Sequence, residues 1–258
     1  MRGRTAWAAA GGAAVLVLTT ATGAHAEGRG DIRVVKTVVN GGGNVIVGTS
    51  KTIRYPIDIT VKDDSGVKRL THVSTFNMAN AYGFATWDGS SCTKKSATTS
   101  VCRATMTVDP GWIPDSDDID TNKVAGIWQV NATVKANDGD YWISDHIAEY
   151  KVKRAARLTT VIAPEKVAKG AKATITGKLS RANWEDLKYH GFTGQQVRLQ
   201  FRQKGAAHYS TVKTVTTGDA GKLTTKVAVT SAGNWRWYFP GTTTTSRKVS
   251  AGDTLNLK

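Results

Sequence analysis

The sequence predicts an all-β protein: two tandem antiparallel β-sandwiches behind an N-terminal export signal. Three observations carry this. Apolar and polar residues alternate with a period of two in segment after segment, no stretch beyond the first 26 residues sustains a 3.6-residue period, and Gly- and Asp-rich turns separate the segments. Short strands with one wet face belong to antiparallel sheets that cover one another. At 258 residues, 40% hydrophobic, with five Pro and two Cys, the chain is too apolar for a disordered protein and too poor in Cys for a disulfide-built miniprotein.

The first segment reads as an address. Arg2 and Arg4 precede a small, apolar run from Ala6 to Leu18, and Ala24-His25-Ala26 gives the small-x-small pattern of a cleavage site. Residues 1–26 are therefore expected to be a signal peptide, leaving Glu27 as the mature N-terminus. Gly11, Gly12, Thr19 and Thr20 interrupt a run already short for a membrane span. No Cys near the cleavage site could take a lipid, and Leu255-Asn256-Leu257-Lys258 does not resemble an anchor. The expected location is secreted or extracellular, with association to the cell wall.

Strands follow in order. Ile57, Ile59 and Val61 alternate with Asp58, Thr60 and Lys62; Trp128, Val130, Ala132 and Val134 alternate with Gln129, Asn131, Thr133 and Lys135; Ala148, Tyr150 and Val152 continue the rule. Later faces are Ile175 and Leu179, Val197-Leu199-Phe201, Leu223-Thr225-Val227-Val229 and Trp235-Trp237-Phe239, opposed by Thr, Lys, Arg and Gln. Trp128, Trp235 and Trp237 are expected in the core. Cys92 and Cys102 flank a polar stretch suited to a turn between two strands, and in an exported chain a lone pair is expected to be bridged. Closing so short a loop contributes about 3 kcal/mol in the chain-entropy account. Two Cys with no nearby His cannot fill a zinc site.

One sandwich is expected over 31–154 and the other over 157–258, because Tyr150–Arg154 reads as a last strand and Leu158–Ile162 as a first one. The short Ala155-Ala156 link implies domains end to end with restricted hinge motion.

Ala125-Gly126-Ile127-Trp128 through Asp138-Gly139, followed by Tyr150-Lys151-Val152, resembles the last two strands of bacterial immunoglobulin-like domains. Gly194–Gly205 resembles their middle strand, and Gly233-Asn234-Trp235-Arg236-Trp237-Tyr238-Phe239-Pro240-Gly241 is similar to their Gly-x-aromatic strand. The architecture is similar to that of two-domain secreted actinobacterial proteins of uncharacterised function, some of them loosely labelled calcium-binding. The resemblance implies two immunoglobulin-like sandwiches and assigns no activity.

Catalysis finds little support. His72, His146, His190 and His208 are scattered without metal-ligand spacing, and there is no Gly-x-Ser-x-Gly elbow, phosphate-cradling loop or reactive thiol. Acidic loops offer more. Asp63 and Asp64 follow one predicted strand, and Asp138 and Asp140 follow another whose loop emerges at the same end of an immunoglobulin-like sandwich. Converged, with Asp145 nearby, these carboxylates suit Ca²⁺, which takes six to eight oxygens. Turn formation by Asp-Gly and Asp-Ser-Gly alone is the simpler reading. A second run, holding Asp115, Asp117, Asp118 and Asp120, fails the EF-hand pattern: Lys123 stands where Gly is needed and Gln129 where Glu is needed. Its charges call for a cation or the basic second domain to neutralise them, and a solvated loop is the simpler reading.

The long segment from Arg181 to Phe192 places Trp184, Tyr189 and Phe192 on a loop, where aromatic rings stack on sugars or anchor a partner. The alternative is that Trp184, Leu187 and Phe192 plug the sandwich end, with Leu187 in a buried turn of helix.

Charge is asymmetric. Residues 31–154 hold 15 Lys and Arg against 14 Asp and Glu, while residues 157–258 hold 17 against 5. Alternation puts Arg198, Gln200 and Arg202 on one outer face and Arg236 and Tyr238 on a neighbouring one, with Lys213 extending a basic surface. Such a face attracts polyanions such as wall teichoic acid, acidic headgroups or extracellular DNA, without reading sequence in nucleic acid. The expected function is a secreted, non-catalytic protein that binds an anionic cell-wall polymer or another extracellular protein. A calcium-binding protein is the alternative, and a secreted hydrolase or enzyme inhibitor a further one.

Overall fold

The computed structural model describes residues 26–113 and 121–258; the expected signal peptide and the acidic run from Asp115 to Asp120 lie outside the described residues, apart from Ala26. In the first half the strands are β1 (Ala26–Arg29), β2 (Arg33–Val39), β3 (Val45–Val47), β4 (Ile53–Lys62), β5 (Val67–Asn77), β6 (Ala85–Lys94), β7 (Thr99–Val108), β8 (Gly126–Ala136) and β9 (Tyr141–Arg154). In the second they are β10 (Ala156–Leu158), β11 (Val161–Ala163), β12 (Lys166–Val167), β13 (Lys172–Asn183), β14 (Lys188–Gly191), β15 (Gln196–Gln203), β16 (Ser210–Thr216), β17 (Lys222–Ala228), β18 (Gly233–Phe239), β19 (Lys248–Val249) and β20 (Asp253–Leu257). No α-helix occurs among the described residues.

Among the described residues four sheets form two sandwiches. In the first, β2-β4-β7-β6 faces β1-β9-β8-β5, with β3 running parallel to the end of β9. In the second, β13 carries β10, β11, β14 and β17, facing β12-β20-β18-β15-β16, and β12 again runs parallel to the last strand. A first-strand segment that crosses over to pair in parallel with the last strand, over an otherwise antiparallel double sheet, is the immunoglobulin-like arrangement of the chain's own hydrogen bonds. The disulfide departs from the antibody pattern. Cys92 and Cys102 are bonded as directly opposed residues of the β6–β7 hairpin, so the bridge ties neighbouring strands of one sheet rather than the two sheets.

Alternation places the core. Ile57, Ile59, Val61, Trp128, Val130 and Val134 are fully buried in the first cluster, and Ile175, Leu179, Val197, Leu199 and Trp237 in the second. An aromatic series runs through the first core: Trp184 meets Phe84 at 5.4 Å between ring centroids, Phe84 meets Trp128 at 5.3 Å, and Trp128 meets Tyr150 at 6.2 Å. The series ends at Tyr55, whose hydroxyl lies 2.8 Å from that of Tyr150. Burial pushes both phenols above their ordinary pKa.

Trp184 belongs to the second half of the sequence, yet it is buried among first-half residues. It opens the Trp184–Leu187 turn between β13 and β14. The expected turn of helix at Leu187 is absent: Leu187 is half-buried at φ +55°, because the chain reverses there as a β-hairpin.

Candidate functional site

Two surfaces gather the chemistry-bearing residues, one at the end of the first sandwich and one on a sheet of the second.

At the first, three segments meet. Asp31 follows β1, Asp63 and Asp64 begin the β4–β5 turn, and Asp138 and Asp140 form the β8–β9 turn. The turns lock each other. Asn137 donates its backbone N–H to the Gly66 carbonyl at 3.0 Å and its side-chain amide to the Ser65 carbonyl at 2.9 Å. The Ser65 hydroxyl and backbone N–H both donate to Asp63 Oδ1, at 2.6 and 2.9 Å, and the Asp138 N–H donates to Ser65 Oγ at 3.3 Å. The Asp31 N–H donates to Asp140 Oδ2 at 3.1 Å. Gly30 permits this approach: at φ +81° it has no Cβ, and one there would overlap the Asp140 carboxylate.

The carboxylates consequently converge. Ligand atoms of Asp63, Asp138 and Asp140 lie within 4.8 Å of one another, and so do those of Asp31, Asp63 and Asp64. Asp63 is common to both sets. It is 1% exposed, and its Oδ2 is buried without a hydrogen-bond partner. Burial pushes its pKa up against the Ser65 hydrogen bonds, and the charges of Asp138 and Asp31 push the same way. Among the described residues no Lys or Arg forms an ion pair with any of the five. Sequence reasoning had missed Asp31, since only the pairing of β1 with β9 carries it to this end. Asp145 belongs to neither set.

The second surface is the outer face of β18-β15-β16. Arg198 stands opposite Tyr238, Gln200 opposite Arg236 and Arg202 opposite Asn234, so the three arginines share one face. Aromatic rings hold them. The Arg236 guanidinium lies 3.7 Å over the Tyr209 ring and that of Arg202 4.9 Å over the same ring, while Arg198 sits 5.8 Å from the Tyr238 ring centre. Arg236 also donates from Nε to Gln200 Oε1 at 2.9 Å. None of the three pairs with a carboxylate among the described residues. Lys213 does not extend this face. A bulge between Leu199 and Gln200 puts Lys213 opposite inward-pointing Leu199, and its ammonium donates to Thr225 Oγ1 on β17 at 3.1 Å.

The aromatic loop is dispersed. Trp184 is 0% exposed and offers no ring face to a ligand. Tyr189 lies under the Arg157 guanidinium at 3.6 Å, and Phe192 packs on Phe239 at 5.9 Å beneath Arg181. Of the histidines, His190 contacts Asp186 at 2.6 Å and His146 contacts Glu149 at 3.1 Å, and among the described residues neither ring meets a serine hydroxyl. No described helix is long and apolar enough to cross a membrane.

No family model and no curated protein matches the chain. Among solved structures it is similar to a superoxide reductase-like protein of Thermotoga maritima (14% identity, 41% of this chain and 87% of that one, TM-score 0.28). It is also similar to the D00-D0 domain of intimin (14%, 85% and 99%, TM-score 0.28) and to the Yersinia pseudotuberculosis adhesin InvE (14%, 86% and 58%, TM-score 0.29). These likenesses span unrelated activities and assign none to this chain.

Proposed function

We propose that this is a non-catalytic binding protein of the cell exterior whose second sandwich holds an anionic wall polymer on the β18-β15-β16 face. The observation that carries the reading is the set Arg198, Arg202 and Arg236, aligned on neighbouring strands over Tyr209 and Tyr238 and paired with no carboxylate among the described residues. Guanidinium groups present fixed forks of donors that match phosphate geometry. The charge excess of residues 157–258 supplies long-range attraction, and the aligned arginines supply a place for it to act. The Cys92–Cys102 bridge suits an oxidising, extracellular setting.

The test is retention of the full chain on purified teichoic acid and on heparin, with elution by salt. Arg198→Glu with Arg236→Glu should weaken binding at least tenfold. Lys172→Glu with Lys226→Glu, the same charge change on exposed residues of the opposite sheet, should weaken it far less. Equal losses would mean diffuse attraction and would overturn the assignment.

A further inference from the structure

The geometry points to a Ca²⁺ site centred on Asp63, in which the cation ties the end of β1, through Asp31, to the β4–β5 and β8–β9 turns. This site is independent of the arginine face.

The spacing fits one kind of ion. Ca²⁺ takes its oxygens at about 2.3–2.6 Å, so ligands on opposite sides of it stand roughly 5 Å apart. Within each of the two carboxylate sets every ligand atom lies within 4.8 Å of the others. The donors are all oxygen, which suits a hard cation, and neither set contains His or Cys, which a zinc site draws on. They come from three separate backbone segments in two overlapping sets, which suits the variable coordination of Ca²⁺ better than the strict octahedron of Mg²⁺.

Asp63 gives the independent reason to expect a ligand. A carboxylate oxygen removed from water without a partner is costly, and buried charges are ordinarily paired or bound to a metal. Asp63 Oδ2 has no partner, although Oδ1 already accepts two hydrogen bonds from Ser65. Four further carboxylates beside it add repulsion rather than relief. The hydrogen bonds among Ser65, Asn137 and Asp138 meanwhile hold the two turns in place without occupying that oxygen. A turn needing only to reverse the chain would not bury an unpaired carboxylate at its base.

The experiment uses the full chain, stripped with EDTA and titrated with CaCl₂ or MgCl₂ by calorimetry and thermal unfolding. Ca²⁺ should bind in the range of about 10⁻⁴–10⁻³ M common to extracellular modules and should raise the unfolding temperature with concentration, whereas Mg²⁺ should do so more weakly. Asp63→Asn should reduce Ca²⁺ affinity at least tenfold. Asp140→Asn, on a more accessible turn, should do the same and covers the case in which the Asp63 variant folds poorly. Asp145→Asn, outside both sets, should leave affinity unchanged. Hydrogen exchange of residues 26–31 should slow on adding Ca²⁺, and Asp31→Asn should abolish that slowing. Absence of binding up to about 10 mM, ten times the weak end of that range, would overturn the site. So would equal losses from Asp145→Asn and Asp140→Asn, or exchange at residues 26–31 that ignores Ca²⁺.

Discussion

Trp184 donates its indole N–H to the Gly48 carbonyl at 3.0 Å, across 136 residues of sequence. The bond joins the β13–β14 turn of one sandwich to the chain just after β3 of the other. Around it, Asn122 accepts the Trp184 backbone N–H at 3.1 Å and gives its side-chain amide to Asn183. Arg154, at the end of β9, is almost wholly buried and donates from Nε to the Ala182 carbonyl at 2.6 Å; burial first, and Arg181 second, lower its pKa to about 10. Backbone bonds run from Arg154 to Thr244 and from Ser246 back to Arg154, and the Lys153 ammonium donates to the Thr242 carbonyl at 2.6 Å. The junction is thus a packed, hydrogen-bonded seam, where the two-residue link had suggested only limited hinge motion.

Truncating Trp184 should therefore do two things. Trp184→Ala removes a fully buried indole, which costs about 3–5 kcal/mol, and it cuts the contact through which the halves unfold together. Scanning calorimetry should show one transition for the parent protein and two for the variant. A single transition lowered by less than about 1 kcal/mol, far below that cavity cost, would show that Trp184 does not couple the sandwiches.

What the sequence revealed and what it hid divide along physical lines. Face assignment was legible at Ile57, Ile59, Val61 and Trp128, because a period of two depends only on near neighbours. The destination of Trp184 was not, since its partners Phe84 and Gly48 are remote in sequence and no local pattern encodes them. Lys213 was misplaced for a smaller reason: one bulge shifts the pairing of β16 and reverses which side its residues face. Asp31 was missed because the strand that positions it is only four residues long and carries no alternation.

The Cys92–Cys102 bridge closes a separation of 10 residues within one hairpin. Replacing both Cys by Ala should lower stability by about 2–3 kcal/mol, read as a lower denaturant midpoint. Because the bridge does not connect the two sheets, the variant should still fold. Loss of folding would mean that the hairpin cannot form its register without the covalent link.

Acid stability should depend on Asp58. Arg103 grips its carboxylate twice, from Nε at 2.6 Å and from a terminal guanidinium nitrogen at 2.9 Å, and holds its pKa below the usual value of 3.8. A carboxyl whose folded pKa is lowered stabilises the protein above its unfolded pKa, and this is lost as pH falls through the folded value. Asp58→Asn should therefore be destabilising at neutral pH and indistinguishable from the parent once both carboxyl states are protonated, below about pH 2. A stability difference that persists unchanged into strong acid would assign the effect to packing instead.

The arginine face makes a distinction between charge and arrangement. Tyr209 lies beneath both Arg202 and Arg236, and replacing it with Ala leaves the formal net charge unchanged. If polymer binding needs only positive charge, Tyr209→Ala should have no effect. If it needs the guanidinium groups held in a plane, the variant should bind several-fold more weakly while keeping the same dependence on salt, because the number of phosphates neutralised is unchanged. Tyr209→Phe keeps the ring and should restore parent-like binding. Lys213→Glu is the matching control. Its ammonium is turned toward Thr225 on the opposite sheet, so the change should reduce binding much less than Arg236→Glu. Should Lys213→Glu and Arg236→Glu weaken binding alike, the polymer is responding to the overall charge of the second sandwich and the ordered row of arginines is not its site.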